Sequence, residues 1–120
     1  LLNFWNTFCG ACLGEFPLIR EIFEAKEWAN KNLSPEFAVI TVCIDGRADR
    51  IEKLEAKYGG EIGRFTFPIL MDSEDGTQKS YDIWTIPRTV FIDSDGIIRE
   101  ITIGRFNSRE EIESILKILE

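Results

Sequence analysis

Two cysteines three positions apart, Cys9 and Cys12, enclose Gly10 and Ala11 in a chain that has one other cysteine, Cys43. A C-x-x-C pair can do reversible disulfide chemistry, supply half of a four-ligand metal site, or arise by chance. The chain has no histidine, and only Cys43 and carboxylates remain to complete a metal shell, so redox exchange is favoured and no metal is expected. The same absence removes the Ser-His and Cys-His catalytic pairs. A nucleophile here has to be activated by the backbone. At the mouth of a helix, orphan N–H groups and the positive dipole end favour a thiolate. Residues three apart in a first helical turn also lie within the Cα spacing that a disulfide tolerates. The side chain nearer the helix end should be the more exposed, so Cys9 is expected to attack and Cys12 to resolve.

The flanking segments can put the pair in that place. Leu1, Leu2, Phe4 and Trp5 read as a short buried strand, and Phe16, Ile19, Ile22, Phe23 and Ala29 recur at helical spacing after the cysteines. Pro17 falls near the start of this helix, where a missing N–H costs least in the first turn but kinks a helix that begins at Cys9. Residues 30–35 read as a loop, and residues 37–44, nearly all apolar or β-branched, as a central parallel strand that completes a βαβ unit.

Residues 48–58 predict a surface helix stopped by Gly59-Gly60, and residues 72–76 predict a turn. Residues 89–92 and 97–103 flank Ser94-Asp95-Gly96, a strong hairpin signal. Ser108 and Glu111 have capping-box spacing ahead of Ile112, Ile115, Leu116 and Leu119. The expected order is β-α-β, then α, then β-β-α, within one domain spanning residues 1–120. There is no internal repeat or low-complexity segment.

With 120 residues and 44% apolar content, the chain can build a single core without disulfide staples. A net charge of −7 with no long run of Lys or Arg offers nothing to a phosphate backbone or an anionic membrane, so no nucleic-acid partner is expected. No apolar stretch approaches the roughly 20 residues that span a bilayer. The domain itself is therefore expected to make no membrane contact. The chain opens in mid-strand without an initiator Met, as a piece of a longer protein with missing N-terminal residues would, which leaves room for an upstream leader or anchor.

Residues 4–17, Phe-Trp-Asn-Thr-Phe-Cys-Gly-Ala-Cys-Leu-Gly-Glu-Phe-Pro, resemble the active-site segment of thioredoxin-like proteins. Glu15 and Pro17 shortly after the second cysteine mark the TlpA/ResA type. Residues 67–72, 81–87 and 90–96 continue the resemblance in the same order, over nearly the whole chain. The resemblance implies an α/β thioredoxin fold: a central mixed sheet, βαβ then ββα, flanked by helices. It also implies a thiol-disulfide oxidoreductase, commonly a reductase, that acts on protein thiol or disulfide substrates and is recharged by an upstream electron donor. No cofactor is called for. Relatives of this type usually face the bacterial cell envelope, often tethered there.

By the same resemblance, Pro87 is a cis proline lying against the disulfide, and the backbone of Ile86 is left free to pair with an extended substrate. Glu15, on the face of Cys12, assists proton transfer; its alternative is a first-turn Glu that complements the helix dipole. Classical thioredoxins carry a buried Asp where this chain has Asn3, which does not titrate, so acid-base work falls to Glu15 or to water. Ala11 replaces the usual Pro and Phe8 the usual Trp, and both bear on the reduction potential. Phe8, Gly10, Ala11, Trp84 and Ile86 are the candidate substrate contacts. Arg88 stands where a small Thr is common, either adding charge to the groove or simply solvated. Trp5 and Cys43 read as core.

Three rival readings remain. A peroxiredoxin-like peroxidase would want a hydroxyl residue three positions before the reactive cysteine, where this chain has Asn6. A binding or chaperone module would hold clients on the same fold with a static disulfide. A metal-binding module comes third.

Overall fold

The computed structural model describes residues 1–25, 38–58, 66–72 and 76–119. Along these run β1 (Leu2–Trp5), α1 (Gly10–Glu24), β2 (Ile40–Cys43), α2 (Ala48–Tyr58), β3 (Ile69–Met71), α3 (Gly76–Ser80), β4 (Arg88–Ile92), β5 (Ile98–Ile103) and α4 (Arg109–Ile118). The strands form one five-stranded sheet in the order β3-β2-β1-β4-β5. β1 pairs parallel with β2 and antiparallel with β4, so it sits in the middle with both edges satisfied. β2 pairs parallel with β3 on its other side.

Period-two alternation divides the sheet into two buried faces. Trp5, Cys43 and Phe91 point to one face, where they pack with Phe16, Ile19 and Ile22 of α1 and with Ile112 and Leu116 of α4. Edge-to-face contacts join Trp5 to Phe16 at 4.8 Å between ring centroids, and Phe16 to Phe67 at 5.0 Å. Phe4, Val42 and Val90 point to the other face and pack with Ile83. Asn3, Thr41 and Thr89 lie in register across β2, β1 and β4 on the Trp5 face, and all three are fully buried.

β4 and β5 pair antiparallel, with the turn closed at Gly96, whose φ of +78° suits glycine. The hydroxyl of Ser108 accepts from the Glu111 N–H, but the Glu111 carboxylate reaches back to the Asn107 N–H rather than to Ser108. The capping pair is present with its return bond shifted by one residue.

Four expectations need correction. β3 and α3 were absent from the expected order; at three and five residues they are too short to leave a periodic signal. Gly76 consequently opens a helix, where the sequence predicts the end of a turn. The strand expected over residues 37–44 pairs only over Ile40–Cys43, with Ile44 in a turn and residue 37 outside the described residues. Pro17 lies well inside α1 and not in its first turn, and Phe23 is exposed. Ala29, the loop at 30–35 and Gly59-Gly60 also fall outside the described residues.

Candidate active site

β1 ends at Trp5 and α1 begins at Gly10, so Cys9 is the N-cap of the helix. Its Sγ accepts a hydrogen bond from the Cys12 N–H at 3.1 Å, taking the place of a capping Ser or Asp oxygen. Cys9 and Cys12 form a disulfide across a Cα–Cα distance of 5.2 Å. The two sulfurs differ in access: Cys9 is half-buried, and Cys12 is fully buried within the core. Cys9 is thus the sulfur with solvent access, and it lies at the electropositive end of α1.

Three residues after Cys12 on α1 comes Glu15, also fully buried. Its Oε1 accepts from the Asn3 side-chain amide at 2.9 Å, and its Oε2 accepts from the Phe106 N–H at 3.0 Å. Burial pushes the Glu15 carboxyl above the ordinary carboxylate range, while the Phe106 and Asn3 hydrogen bonds and the Arg105 charge pull the other way. A dipole-complementing surface Glu would be solvated. Glu15 is instead a titratable group held in the core by defined partners.

Pro87 is buried and Ile86 half-buried, and the peptide between them is cis. Phe8 and Trp84 are 68% and 79% exposed, which is unusual for large aromatic side chains. Each is anchored: the Arg50 guanidinium lies 3.7 Å over the Phe8 ring, and the Trp84 indole N–H donates to the Asp82 carboxylate. Gly10 and Ala11 are exposed on the first turn of α1. Arg88 is half-buried; one terminal guanidinium nitrogen donates to the Asp82 carbonyl at 3.0 Å, while its Nε is buried without a partner among the described residues.

A second set of contacts, which the sequence does not reveal, holds the loop before Cys9. The N–H and hydroxyl of Thr7 both donate to Asp45 Oδ2, at 2.9 and 2.5 Å, and Arg50 Nε donates to the Thr7 hydroxyl at 2.9 Å. The Cys43 thiol donates to Asp45 Oδ1 at 2.9 Å. Burial first, then the neighbouring Asp45, pushes the Cys43 thiol up to about 12. Cys43 is thus a protonated, buried hydrogen-bond donor. Beside Asn3, the surroundings of Glu15 include Arg105, the Phe106 N–H and, through Asn3, Thr89, and only their meeting in space identifies these three. Among the described residues no cluster of three or more Cys, Asp or Glu could hold a metal ion. Nor is any helix among them long and apolar enough to cross a membrane.

A mixed sheet with β1 central, an antiparallel β4–β5 pair, and a C-x-x-C disulfide capping α1 define a thioredoxin-fold protein. The chain belongs to the AhpC/TSA family, a thioredoxin-like family whose pattern matches residues 1–101. It is 33% identical over 110 residues to the thioredoxin-like protein YneN of Bacillus subtilis, covering 92% of this chain and 59% of that protein. It is 28% identical over 116 residues to the thiol-disulfide oxidoreductase ResA of Geobacillus kaustophilus, covering 97% of this chain and 60% of ResA. The crystal structure of StoA from Bacillus subtilis superposes with a TM-score of 0.72 at 26% identity, over 94% of this chain and 78% of StoA. The chain thus spans about three-fifths of the length of these curated relatives.

Proposed function

We propose that this domain is a thiol-disulfide oxidoreductase that exchanges disulfides with protein substrates and works in the reducing direction. The observation that carries the reading is the asymmetry of the pair: a half-buried Cys9 at the helix N-cap, bonded to a fully buried Cys12. In the dithiol state the Cys9 thiolate attacks a substrate disulfide, forming a Cys9–substrate bond and releasing one substrate thiolate. Cys12 then attacks Cys9 Sγ, closing the Cys9–Cys12 disulfide and releasing the second substrate thiol. Two electrons pass to the substrate, and an upstream dithiol donor resets the pair.

Glu15 takes up the proton of Cys12 as that thiol becomes the attacking group. Ile86 and the cis Pro87 hold the substrate backbone beside the disulfide, and Phe8, Gly10, Ala11 and Trp84 line its approach. Kinship with ResA and StoA supports protein thiols as substrates. Resemblance to the TlpA/ResA type supports an extracytoplasmic setting at the bacterial cell envelope.

The test is reduction of a disulfide-bonded protein by wild type, Cys9→Ser and Cys12→Ser. Wild type should turn over, Cys9→Ser should not, and Cys12→Ser should accumulate the mixed disulfide at Cys9. Full activity in Cys9→Ser would end the reading. A peroxidase fits the site less well, since the position three before Cys9 is Asn6, whose Oδ1 accepts from the Phe8 N–H at 2.9 Å. Consumption of hydroperoxide faster than disulfide reduction would reverse that preference.

A further inference from the structure

The Asn3 side chain is fully buried and makes two hydrogen bonds, both from Nδ2: one to Glu15 Oε1 at 2.9 Å and one to Thr89 Oγ1 at 3.0 Å. Among the described residues its buried Oδ1 has no partner. A buried acceptor left unpaired costs about 1–3 kcal/mol, but turning the amide over beneath a carboxylate would instead leave Nδ2 unpaired and set two acceptors against each other. The arrangement is the one an ionised Glu15 demands, because a carboxylate only accepts and the amide must turn its donor toward it.

Protonation of Glu15 reverses the demand. A proton on Oε2 would face the Phe106 N–H, a backbone donor that cannot turn away. A proton on Oε1 would face Asn3 Nδ2, which can be exchanged for Oδ1 by rotating the amide about its terminal torsion. Thr89 tolerates both arrangements, since its hydroxyl accepts from Nδ2 in one and donates to Oδ1 in the other.

We propose that Asn3 is a positioning residue for Glu15: its amide turns over as the carboxyl takes up and releases its proton, and so selects Oε1 as the proton-bearing oxygen. A position that carries an Asp in classical thioredoxins here holds an amide that never ionises but follows the ionisation of its neighbour. This deepens the oxidoreductase reading and rests on it for its purpose, though the amide rotation itself requires no substrate. The other charged group bearing on Glu15 among the described residues is Arg105, in the segment between β5 and α4, which favours the ionised form. Cys12, on the same helix, is held in the disulfide and does not titrate in the oxidised protein.

The experiment is an NMR titration of the oxidised protein, so that turnover plays no part in it. The Glu15 carboxyl carbon and the Asn3 side-chain NH2 group are followed together in wild type, Asn3→Ala and Glu15→Gln. In wild type the NH2 signals should change with the same midpoint as the carboxyl and lose their contact with the Thr89 side chain on the acid side. In Glu15→Gln they should not vary with pH over that range. In Asn3→Ala the Glu15 midpoint should rise by about one pH unit, since a donor to the charged form is lost. NH2 signals that stay constant while Glu15 titrates would overturn the proposal, as would an unmoved midpoint in Asn3→Ala. If Asn3→Ala does not fold, the wild-type titration decides alone. Failure of disulfide turnover alongside a normal NH2 transition would sink the oxidoreductase reading and leave this one standing.

Discussion

The guanidinium of Arg50 lies 3.7 Å above the ring of Phe8 while its Nε donates to the hydroxyl of Thr7, so one side chain of α2 holds both residues that precede Cys9. Asp45 accepts from the Thr7 N–H and hydroxyl, so the Cys9 loop is clamped from β2–α2 in addition to its own turn at Asn6. Phe8 is thereby presented to solvent as a fixed surface beside the disulfide.

Arg50→Ala should lower stability by about 1–2 kcal/mol, the sum of a cation–π contact and a hydrogen bond to the hydroxyl of the buried Thr7. The midpoint of urea unfolding measures it. Arg50→Lys should recover less than half of the loss, because an ammonium cannot stack on Phe8 and reach Thr7 with the same planar fork. Equal stability of wild type and Arg50→Ala would show that the clamp holds nothing.

The Glu15 carboxyl, raised by burial, gives stability a pH dependence of defined sign. Between its ordinary value of 4.5 and the raised folded value, the native state keeps a proton that the unfolded state releases. Stability should therefore fall as pH rises through that window and level off above it. Glu15→Gln should flatten this limb in a series of urea titrations at different pH, and should slow disulfide turnover by about 100-fold if the carboxylate moves the Cys12 proton. An unchanged limb in Glu15→Gln would assign the pH dependence elsewhere.

Local chemistry made part of this site legible in the sequence. Cys9 and Cys12 share one helical turn, the turn at Gly96 announces its hairpin within a few residues, and Ser108 signals α4 through Glu111 three positions on. What remained hidden depends on distant partners. Glu15 meets Asn3 across 12 residues and Phe106 across 91, and Arg50 reaches Thr7 across 43. Nothing in the spacing of those residues encodes the meeting, because the parallel β1–β2 pairing and the docking of α1 on the sheet create it. The burial of Glu15 is of this kind: three residues from Cys12 it reads equally as a surface helix residue, and only the covering segment at Phe106 decides.

Cys43 should behave as an unreactive thiol. With its pKa pushed up to about 12 and its Sγ–H given to Asp45, it carries almost no thiolate between pH 7 and 9. In the reduced native protein, iodoacetamide at pH 8 should modify Cys9 first and leave Cys43 unmodified until denaturant is added, as peptide mapping would show. Modification of Cys43 at the rate of Cys9 in the folded protein would contradict its place in the core.

Gly14 offers a test in which two effects of opposite consequence separate. It sits inside α1, and a Cβ there would come within 2.6 Å of the terminal nitrogen of Arg105 and 3.2 Å of its guanidinium carbon. Those atoms are the far end of a flexible, exposed side chain, so Gly14→Ala should displace the guanidinium rather than the helix. Replacing a helix-interior glycine contributes up to about 1 kcal/mol through propensity, and urea unfolding should register a gain of that order. Arg105 also favours the charged form of Glu15, so moving it away should raise the Glu15 midpoint even as the fold becomes more stable. A carbon NMR titration of Glu15 in Gly14→Ala reads the second effect independently of the first. A stabilised variant with an unmoved midpoint would mean that Arg105 contributes nothing to the charge balance of the site; a destabilised one would mean that the guanidinium cannot yield.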